Sequence, residues 1–386
     1  MTSDENPSQD SALLRLLNQF SYQRITDLPE PDLGLAELRP FPFLAIVGQM
    51  EMRIALMLAV INPAIGGVLL IGPRGTGKTT AVRSLAGILP NIEVSDCEEG
   101  VLPADLEMLA DEDARYLFPD CYEKWKAGQS ISHYEPVQLV ELPLNARIED
   151  VVGAPNERAA VHRNSIRIER GILSRADRNI LYIDEINLLD DQITDVILDA
   201  AAQGAYTVRR GAVVGTYRSR FVLVGSMNPE EGRLRPQIMD RFGLRVYVRG
   251  LTDLAERAEV YNRARAYRRN PTRFIREWEG ATAAAESEIM AARDLLNQTV
   301  LPDDVVRVGL DLILKLGLDS HRAEYTLFES ARAYAAADSR TEVTLEDLKV
   351  VAPLSLRQRN SEFMSNFFDN QAEQDKTIYQ TLDEII

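Results

Sequence analysis

A short apolar run that leads directly into a glycine-rich turn is the feature that most constrains the fold of this chain. Residues 67–71 are apolar or glycine, which is typical of a strand buried on both faces of a parallel sheet. The next eight residues fit the pattern G-x-x-x-x-G-K-[ST], in which backbone N–H groups converge on phosphate and a helix begins near the lysine. They are Gly72-Pro73-Arg74-Gly75-Thr76-Gly77-Lys78-Thr79. This order of strand, turn and helix predicts a nucleotide-binding loop.

The residue types in this loop match its predicted chemistry. Lys78 would contact the β- and γ-phosphates, and the hydroxyl of Thr79 would bind Mg²⁺. The N-terminus of the following helix adds a partial positive charge that favours an anion. We therefore expect ATP and Mg²⁺ as ligands. The loop residues expected to bind them are Gly72, Pro73, Arg74, Gly75, Thr76, Gly77, Lys78, Thr79 and Thr80.

Two later apolar strands also end in polar residues. Asp184 and Glu185 follow the run Ile180–Ile183, and Asn228 follows the run that begins at Phe221. Carboxylates at the end of an apolar strand are costly unless metal or water satisfies them. Asp184 would help to hold Mg²⁺, Glu185 would orient or deprotonate the attacking water, and Asn228 would position water near the γ-phosphate. Alone, the Asn-Pro pair would indicate only a turn.

Strands that alternate with helices place these motifs in a parallel sheet covered on both faces. The strand candidates are residues 67–71, 137–142, 180–183, 220–224 and 244–248. After Gly250, four long segments carry apolar residues at the i, i+3, i+4 spacing of helices, and Thr344 is a candidate N-cap for a short helix over 345–350. We therefore predict an α/β P-loop domain with a five-stranded parallel sheet flanked by helices, followed by an all-helical domain.

Negative charge is concentrated in a few segments of the chain. The net charge is −16, and residues 92–123 contain eleven acids and one arginine. This acidic excursion favours a solvated loop with a helix around 106–117, and a docking surface for a basic partner is the alternative. Residues 1–40 and 359–386 are also acidic and predict a flexible N-terminal arm and a C-terminal tail. The overall charge argues against a protein that coats nucleic acid.

Cysteine, histidine and hydropathy narrow the class of protein further. Cys97 and Cys121 cannot form a disulfide framework, and we interpret them as incidental thiols, with a redox switch as the alternative. The three widely spaced histidines do not favour a structural zinc site. No apolar run reaches the ~20 residues of a membrane helix, and the N-terminus lacks a signal-peptide pattern. Together these features predict a cytoplasmic protein without a membrane span.

Beyond the loop, several stretches resemble the I subunit of magnesium chelatase, a member of the AAA+ ATPases. The stretches are 46–49 (IVGQ), 143–146 (PLNA), 184–191 (DEINLLDD), 228–232 (NPEEG) and 234–243 (LRPQIMDRFG), and the resemblance covers about residues 41–355. It implies an AAA+ P-loop domain over 41–250 and a helical lid over 251–358. Within the first domain it implies a helix-2 insert at 149–170 and a β-hairpin at 207–219.

The resemblance also implies further site residues and partners. Arg241 would be an arginine finger that completes a neighbouring subunit's ATP site, and Arg322 would be the second sensor, with Arg332 as the alternative. In the family, the I subunit forms an ATP-hydrolysing ring, here expected to be a hexamer. It works with a D subunit and a porphyrin-binding H subunit to insert Mg²⁺ into protoporphyrin IX, in chlorophyll and bacteriochlorophyll synthesis.

Two other functions stay open on the sequence alone. The first is a related AAA+ remodelling ATPase of the cobalt-chelatase-like or MoxR type. The second is a DNA-translocating motor, for which the four arginines near the expected hairpin are weak support, because binding nucleic acid needs many phosphate contacts.

Overall fold

The computed structural model describes residues 16–17, 40–97, 100–155, 168–210, 213–232 and 234–359. The α-helices of these segments are α1 (Met50–Ile61), α2 (Lys78–Leu85), α3 (Pro103–Met108), α4 (Asp111–Leu117), α5 (Pro119–Lys126), α6 (Ile148–Val152), α7 (Ile172–Arg175), α8 (Asp191–Gln203), α9 (Pro236–Arg241), α10 (Leu254–Arg269), α11 (Pro271–Leu296), α12 (Asp303–Lys315), α13 (Arg322–Ala337) and α14 (Leu345–Leu356). The strands are β1 (Val68–Ile71), β2 (Ile92–Ser95), β3 (Ser132–Glu135), β4 (Leu139–Glu141), β5 (Gly153–Pro155), β6 (Ile168–Arg170), β7 (Ile180–Ile183), β8 (Ala205–Arg210), β9 (Val213–Arg218), β10 (Val222–Met227) and β11 (Leu244–Tyr247).

Five of these strands form the central sheet in the order β11-β1-β10-β7-β4, and every neighbouring pair is parallel. All four residues of β1 and of β7 are buried. Two separate hydrophobic clusters bury these strands. One joins the sheet to α1, α2 and much of the C-terminal helical region, and the other joins it to α8 and α9. The predicted five-stranded parallel sheet with helices on both faces is confirmed.

The C-terminal helices form a lid that packs directly against the P-loop domain. Asn62, just after α1, donates to the carboxylate of Glu329 on α13 at 2.8 Å, and the guanidinium of Arg293 donates to the carbonyl of Val60 at 2.8 Å. The predicted cap is present, since the Thr344 side chain accepts from the N–H of Asp347. The following helix runs well past residue 350 and through a proline, because its buried apolar residues continue to pack against the lid core.

The acidic excursion is more ordered than the sequence predicts. It contains three short helices instead of one, and β2 pairs with β3 in an antiparallel ribbon. A small separate core holds these elements together. Our interpretation of Cys97 and Cys121 as incidental thiols is wrong, because the structure pairs them in a disulfide. Their Cα atoms lie 6.2 Å apart, a normal separation for a bridge, because the small core packs the start of α5 against the turn after β2.

The predicted hairpin is present as β8 and β9, which pair antiparallel. Its Arg218 donates to Asp105 of the acidic excursion at 2.5 Å. Only the ends of the expected helix-2 insert, α6 with the pair β5–β6, lie within the described residues. The predicted N-terminal arm and C-terminal tail lie outside them, except for Leu16, Leu17, Pro40 and Arg359, and Leu17 is fully buried in the main core. None of the described helices has the length and apolar character needed to cross a membrane.

One close backbone contact gives a test of this packing. An added Cβ at Gly243, at the start of β11, would lie 1.8 Å from the carbonyl oxygen of Ile65. Gly243→Ala should therefore lower the free energy of unfolding by about 1–3 kcal/mol, as overpacking does. Gly280→Ala is the matched control in the middle of α11, where an added Cβ meets nothing within 4 Å, and better helix propensity should raise stability by up to about 1 kcal/mol. Urea denaturation measures both. A Gly243→Ala protein as stable as the wild type would contradict the packing described here.

Candidate functional site

The glycine-rich loop joins β1 to α2 at the carboxyl edge of the central sheet. Gly75 and Gly77 have φ angles of 76° and 86°, a left-handed conformation that glycine adopts without steric cost. The loop therefore curls around the first turn of α2, whose initial N–H groups have no partner within the helix. A pocket of about 320 Å³ opens here, lined by Arg74, Gly75, Thr76, Gly77, Lys78, Thr79, Thr80, Asp184, Glu185, Ser226, Met227 and Asn228.

The ammonium group of Lys78 lies inside the curve of this loop. Its Nζ donates to the carbonyl oxygens of Gly72 and Pro73, each at 2.7 Å. Burial lowers the pKa of Lys78, while the nearby carboxylates of Asp184, Glu231 and Glu185 act in the opposite direction. The lysine is thus surrounded by oxygen atoms in a pocket that also offers backbone N–H donors.

Asp184 and Glu185 enter the same pocket from the end of β7. One carboxylate oxygen of Asp184, Oδ1, accepts from the hydroxyl of Tyr182 at 2.9 Å and from the hydroxyl of Ser226. Tyr182 also lies 3.1 Å from the hydroxyl of Thr79, and burial raises the pKa of Tyr182 to about 12. The phenol is therefore protonated at neutral pH and serves as a donor.

Glu185 is held by an arginine of the glycine-rich loop. The Nη2 atom of Arg74 lies 2.9 Å from a carboxylate oxygen of Glu185 and 2.5 Å from one of Glu231. The backbone of Glu185 is left-handed with φ of 52°, and its N–H donates to Ser226 at 3.2 Å. Arg74 thus lies between two acids at the mouth of the pocket.

Asn228 directly follows β10 and is almost fully buried at the pocket wall. Its side-chain oxygen accepts from the N–H of Glu230 at 3.2 Å, which caps the short turn Pro229–Glu231. The three predicted motifs therefore converge because β1, β10 and β7 are adjacent and parallel, so that their carboxyl ends share one edge.

Arg241 and Arg322 lie together in a second cleft, apart from the loop of their own chain. This cleft measures about 420 Å³ and is lined by both arginines together with Pro63–Ile65, the turn before β1. It is therefore at the amino edge of the sheet, whereas the glycine-rich loop follows the carboxyl end of β1. Arg241 contacts Asp199 of α8, and Arg322 is half-exposed.

A single carboxylate, Asp240, organises the wall of this second cleft. It accepts from Arg359 at 2.8 Å and from the hydroxyl of Ser320 at 3.2 Å, and lies 3.8 Å from both Arg322 and Arg245. Burial is the main cause that lowers the pKa of Arg245, to about 9. The lining of the cleft thus holds two guanidinium groups, those of Arg241 and Arg322, beside the carboxylate of Asp240, which suits an anion.

The alternative second sensor, Arg332, is bound within the lid. It pairs with Glu329 at 2.9 Å and donates to the carbonyl groups of Thr299 and Leu296 at 3.0 and 2.8 Å. These contacts tie α13 to the end of α11. Arg332 therefore has a structural role, and Arg322 stays the candidate.

Sequence reasoning missed four residues near these two sites. They are Tyr182, Ser226, Glu231 and Asp240. Tyr182 is hidden in an apolar strand, although a tyrosine two residues before Asp184 faces the same side of the sheet. Glu231 and Asp240 stand within the stretches 228–232 and 234–243, whose family resemblance gives neither residue a role. In the described part of the chain, no three His, Cys, Asp or Glu residues are grouped so as to hold a metal ion.

Comparison with known proteins agrees with this geometry. The family model "Magnesium chelatase, subunit ChlI" matches residues 43–112, the "MCM P-loop domain" matches 154–248, and the "AAA lid domain" matches 307–381. A protein from Cytophaga hutchinsonii with a solved crystal structure is 18% identical in sequence to this chain. The match covers 83% of this chain and 86% of that one, and the TM-score is 0.53. At this identity the likeness concerns the fold alone.

Two curated relatives align with most of the chain. The "Magnesium-chelatase subunit ChlI homolog" of Methanocaldococcus jannaschii is 42% identical over 324 residues, which is 83% of this chain and 85% of that protein. The "Magnesium-chelatase 38 kDa subunit" of Rhodobacter capsulatus is 42% identical over 333 residues, which is 86% of this chain and 91% of that protein. With this identity over nearly whole chains, and with a P-loop domain followed by a helical lid, the chain belongs to the magnesium chelatase subunit I family of AAA+ ATPases.

Proposed function

We propose that this chain hydrolyses ATP to drive the insertion of Mg²⁺ into protoporphyrin IX, as the I subunit of a magnesium chelatase with D and H subunits. The observation that carries the proposal is the convergence of Lys78, Thr79, Asp184, Glu185 and Asn228 on one pocket. These are the groups that bind phosphate, bind Mg²⁺ and orient water in P-loop ATPases. The substrate class comes from the family, whose members compared above are named for magnesium chelatase.

ATP binding requires Lys78 to exchange its hydrogen-bond partners. In this structure its ammonium group donates to two neutral carbonyl groups of the loop. Phosphate oxygens are charged acceptors, so they add a charge–charge attraction to the ammonium group that a neutral carbonyl cannot offer. Lys78 therefore turns to the phosphates, and the N–H groups at the start of α2 bind the same anion.

Thr79 and Asp184 fit the Mg²⁺ of MgATP. They offer a hydroxyl and a carboxylate, the hard oxygen ligands that Mg²⁺ accepts beside phosphate and water. Bound Mg²⁺ would neutralise part of the negative charge that develops on the transferred phosphoryl group. Both side chains line the same pocket.

Glu185 is the proposed base for the attacking water, and Asn228 the proposed group that orients that water. Arg74 engages the Glu185 carboxylate in this structure, so water activation requires this carboxylate to face the γ-phosphate instead. Glu231 shares the same guanidinium and offers Arg74 an alternative partner when Glu185 turns away. Hydrolysis thereby depends on a rearrangement at the mouth of the pocket.

Arg241 and Arg322 are proposed to act on the ATP of a neighbouring subunit. Their cleft lies at the edge of the sheet opposite their own loop, and the length of β1 separates the two sites. The cleft has an excess of guanidinium groups, and an arginine that reaches the γ-phosphate stabilises charge in the transition state. Two arginines that each need a neighbour support a closed ring, for which we propose six subunits.

The first test separates binding from hydrolysis. Glu185→Gln should bind ATP with unchanged affinity and lose roughly 100-fold or more in kcat, because an amide keeps the size of the side chain but cannot accept a proton. Lys78→Ala should lose binding itself. Equilibrium binding of a fluorescent ATP analogue and steady-state phosphate release measure the two quantities.

Glu346→Gln is the control for this test, since Glu346 is an exposed lid residue that pairs with Lys349. It should match the wild type in both measurements. Hydrolysis by Glu185→Gln within twofold of the wild type would remove Glu185 from the proposed role.

The second test concerns action between subunits. Arg241→Ala and Lys78→Ala should each be inactive, but a mixture should regain part of the ATPase activity, because some interfaces then pair an intact loop with an intact arginine. Arg322→Ala mixed with Lys78→Ala should behave likewise.

A mixture of Lys78→Ala with Glu185→Gln is the matched control. It should regain nothing, because both defects lie in the loop half of the site, so that every subunit has a defective loop half although its arginines are intact. Full activity of Arg241→Ala at concentrations where the protein is monomeric would exclude action on a neighbour.

The third test is the metal insertion itself. The chain, combined with D and H subunits, Mg²⁺, ATP and protoporphyrin IX, should convert the fluorescence of the free porphyrin into that of its magnesium complex. Lys78→Ala in the same mixture should give no product. If the wild-type chain hydrolyses ATP in this mixture but no metal is inserted, the chelatase assignment is contradicted and the ATPase assignment still holds.

A further inference from the structure

A chain of hydroxyl groups joins the two side chains proposed to hold Mg²⁺. The phenol oxygen of Tyr182 lies 3.1 Å from Oγ1 of Thr79 and 2.9 Å from Oδ1 of Asp184. The hydroxyl of Ser226 contacts the same Oδ1. Tyr182 and Ser226 are each 1% exposed, so water does not compete for these hydrogen bonds.

Counting donors and acceptors determines which group donates in each of these hydrogen bonds. An ionised carboxylate only accepts, so Tyr182 and Ser226 both donate to Asp184. Tyr182 has a single hydroxyl proton, which it donates to Asp184. The Thr79 hydroxyl must therefore donate to the Tyr182 oxygen. Thr79 thereby keeps both of its lone pairs free, and Asp184 keeps its second oxygen, Oδ2, free. The free lone pairs on these two oxygen atoms are what a cation needs.

The register of the sheet explains why these residues meet. Tyr182 on β7 is paired with Val224 on β10, so Ser226, two residues further along β10, lies level with Asp184. Tyr182 is on the face of the sheet that packs against α2, within the same hydrophobic cluster as Ala81 and Val82. A phenylalanine would fill this space equally well, so packing alone does not require the hydroxyl.

We propose that Tyr182 is a positioning residue which, together with Ser226, orients Thr79 and Asp184 and thereby sets the affinity of the pocket for the Mg²⁺ of MgATP. The inference rests on the proposed nucleotide site, and it adds a specific role for two residues that would not touch the metal. Groups that orient metal ligands typically contribute 10- to 100-fold to metal affinity. Binding of ATP without metal does not depend on them.

The decisive variant is Tyr182→Phe, which removes one oxygen atom and keeps the packing. Mn²⁺ binding to the chain saturated with a non-hydrolysable ATP analogue is followed by electron paramagnetic resonance. The dissociation constant for Mn²⁺ should rise about tenfold, while binding of the analogue in EDTA stays unchanged. In steady-state assays, the Mg²⁺ concentration for half-maximal ATPase activity should rise by the same factor, and saturating Mg²⁺ should restore kcat.

Tyr334→Phe is the matched control, because Tyr334 is also a buried tyrosine but lies on α13 of the lid. It should leave both metal measurements at the wild-type values. Ser226→Ala is a second variant that removes the other donor to Asp184, and it should weaken Mn²⁺ binding in the same direction. This second variant keeps the test decisive if Tyr182→Phe fails to fold.

The outcomes separate this inference from the proposed function. Failure of the wild-type chain to bind the analogue at all would overturn the nucleotide site, and this inference with it. Normal nucleotide binding with Mn²⁺ affinity in Tyr182→Phe and Ser226→Ala within twofold of the wild type would overturn only the role given to Tyr182. A merely structural defect would weaken metal-free binding too, and excess Mg²⁺ would not restore kcat.

Discussion

Parallel pairing of β1 with β10, and of β10 with β7, decides where every polar group of the nucleotide pocket lies. Because these strands run in the same direction, the loop after β1, the carboxylates after β7 and Asn228 after β10 all reach one edge of the sheet. The strands can be short and largely apolar because helices cover both faces. Polar groups are then confined to the strand ends, where ligand and water can satisfy them.

The same sheet keeps the two halves of the proposed ATP site apart. Phosphate-binding groups lie at its carboxyl edge, and Arg241 and Arg322 lie at its amino edge. Asp240 is central to this second half, because it contacts Ser320 of the lid and Arg359, which follows the last lid helix, and stands next to Arg241 in the chain. These hydrogen bonds join the lid region to the residue next to Arg241, the proposed arginine finger. In a ring, this contact would link the lid of one subunit to the nucleotide of the next.

Local sequence patterns were most reliable where one helix or strand is defined by its own residues. Helix α8 is defined by its own residues, because Asp190 caps its start and Gly204 ends it in a left-handed conformation. The acidic excursion was less predictable, since its order depends on a small core that joins residues distant in the chain. Cys97 and Cys121 illustrate this point, because only the folded excursion brings positions 24 residues apart into bonding distance.

The sequence by itself determined the fold class, the nucleotide loop, the two carboxylates at the end of β7 and the helical lid, because each depends on residue types at short, regular spacing. Tertiary structure alone decided which distant groups meet. It placed Tyr182 between Thr79 and Asp184, put Arg74 between Glu185 and Glu231, and separated Arg322 from the loop of its own chain. These relations arise from strand register and from packing across the sheet, which join residues that no local pattern connects.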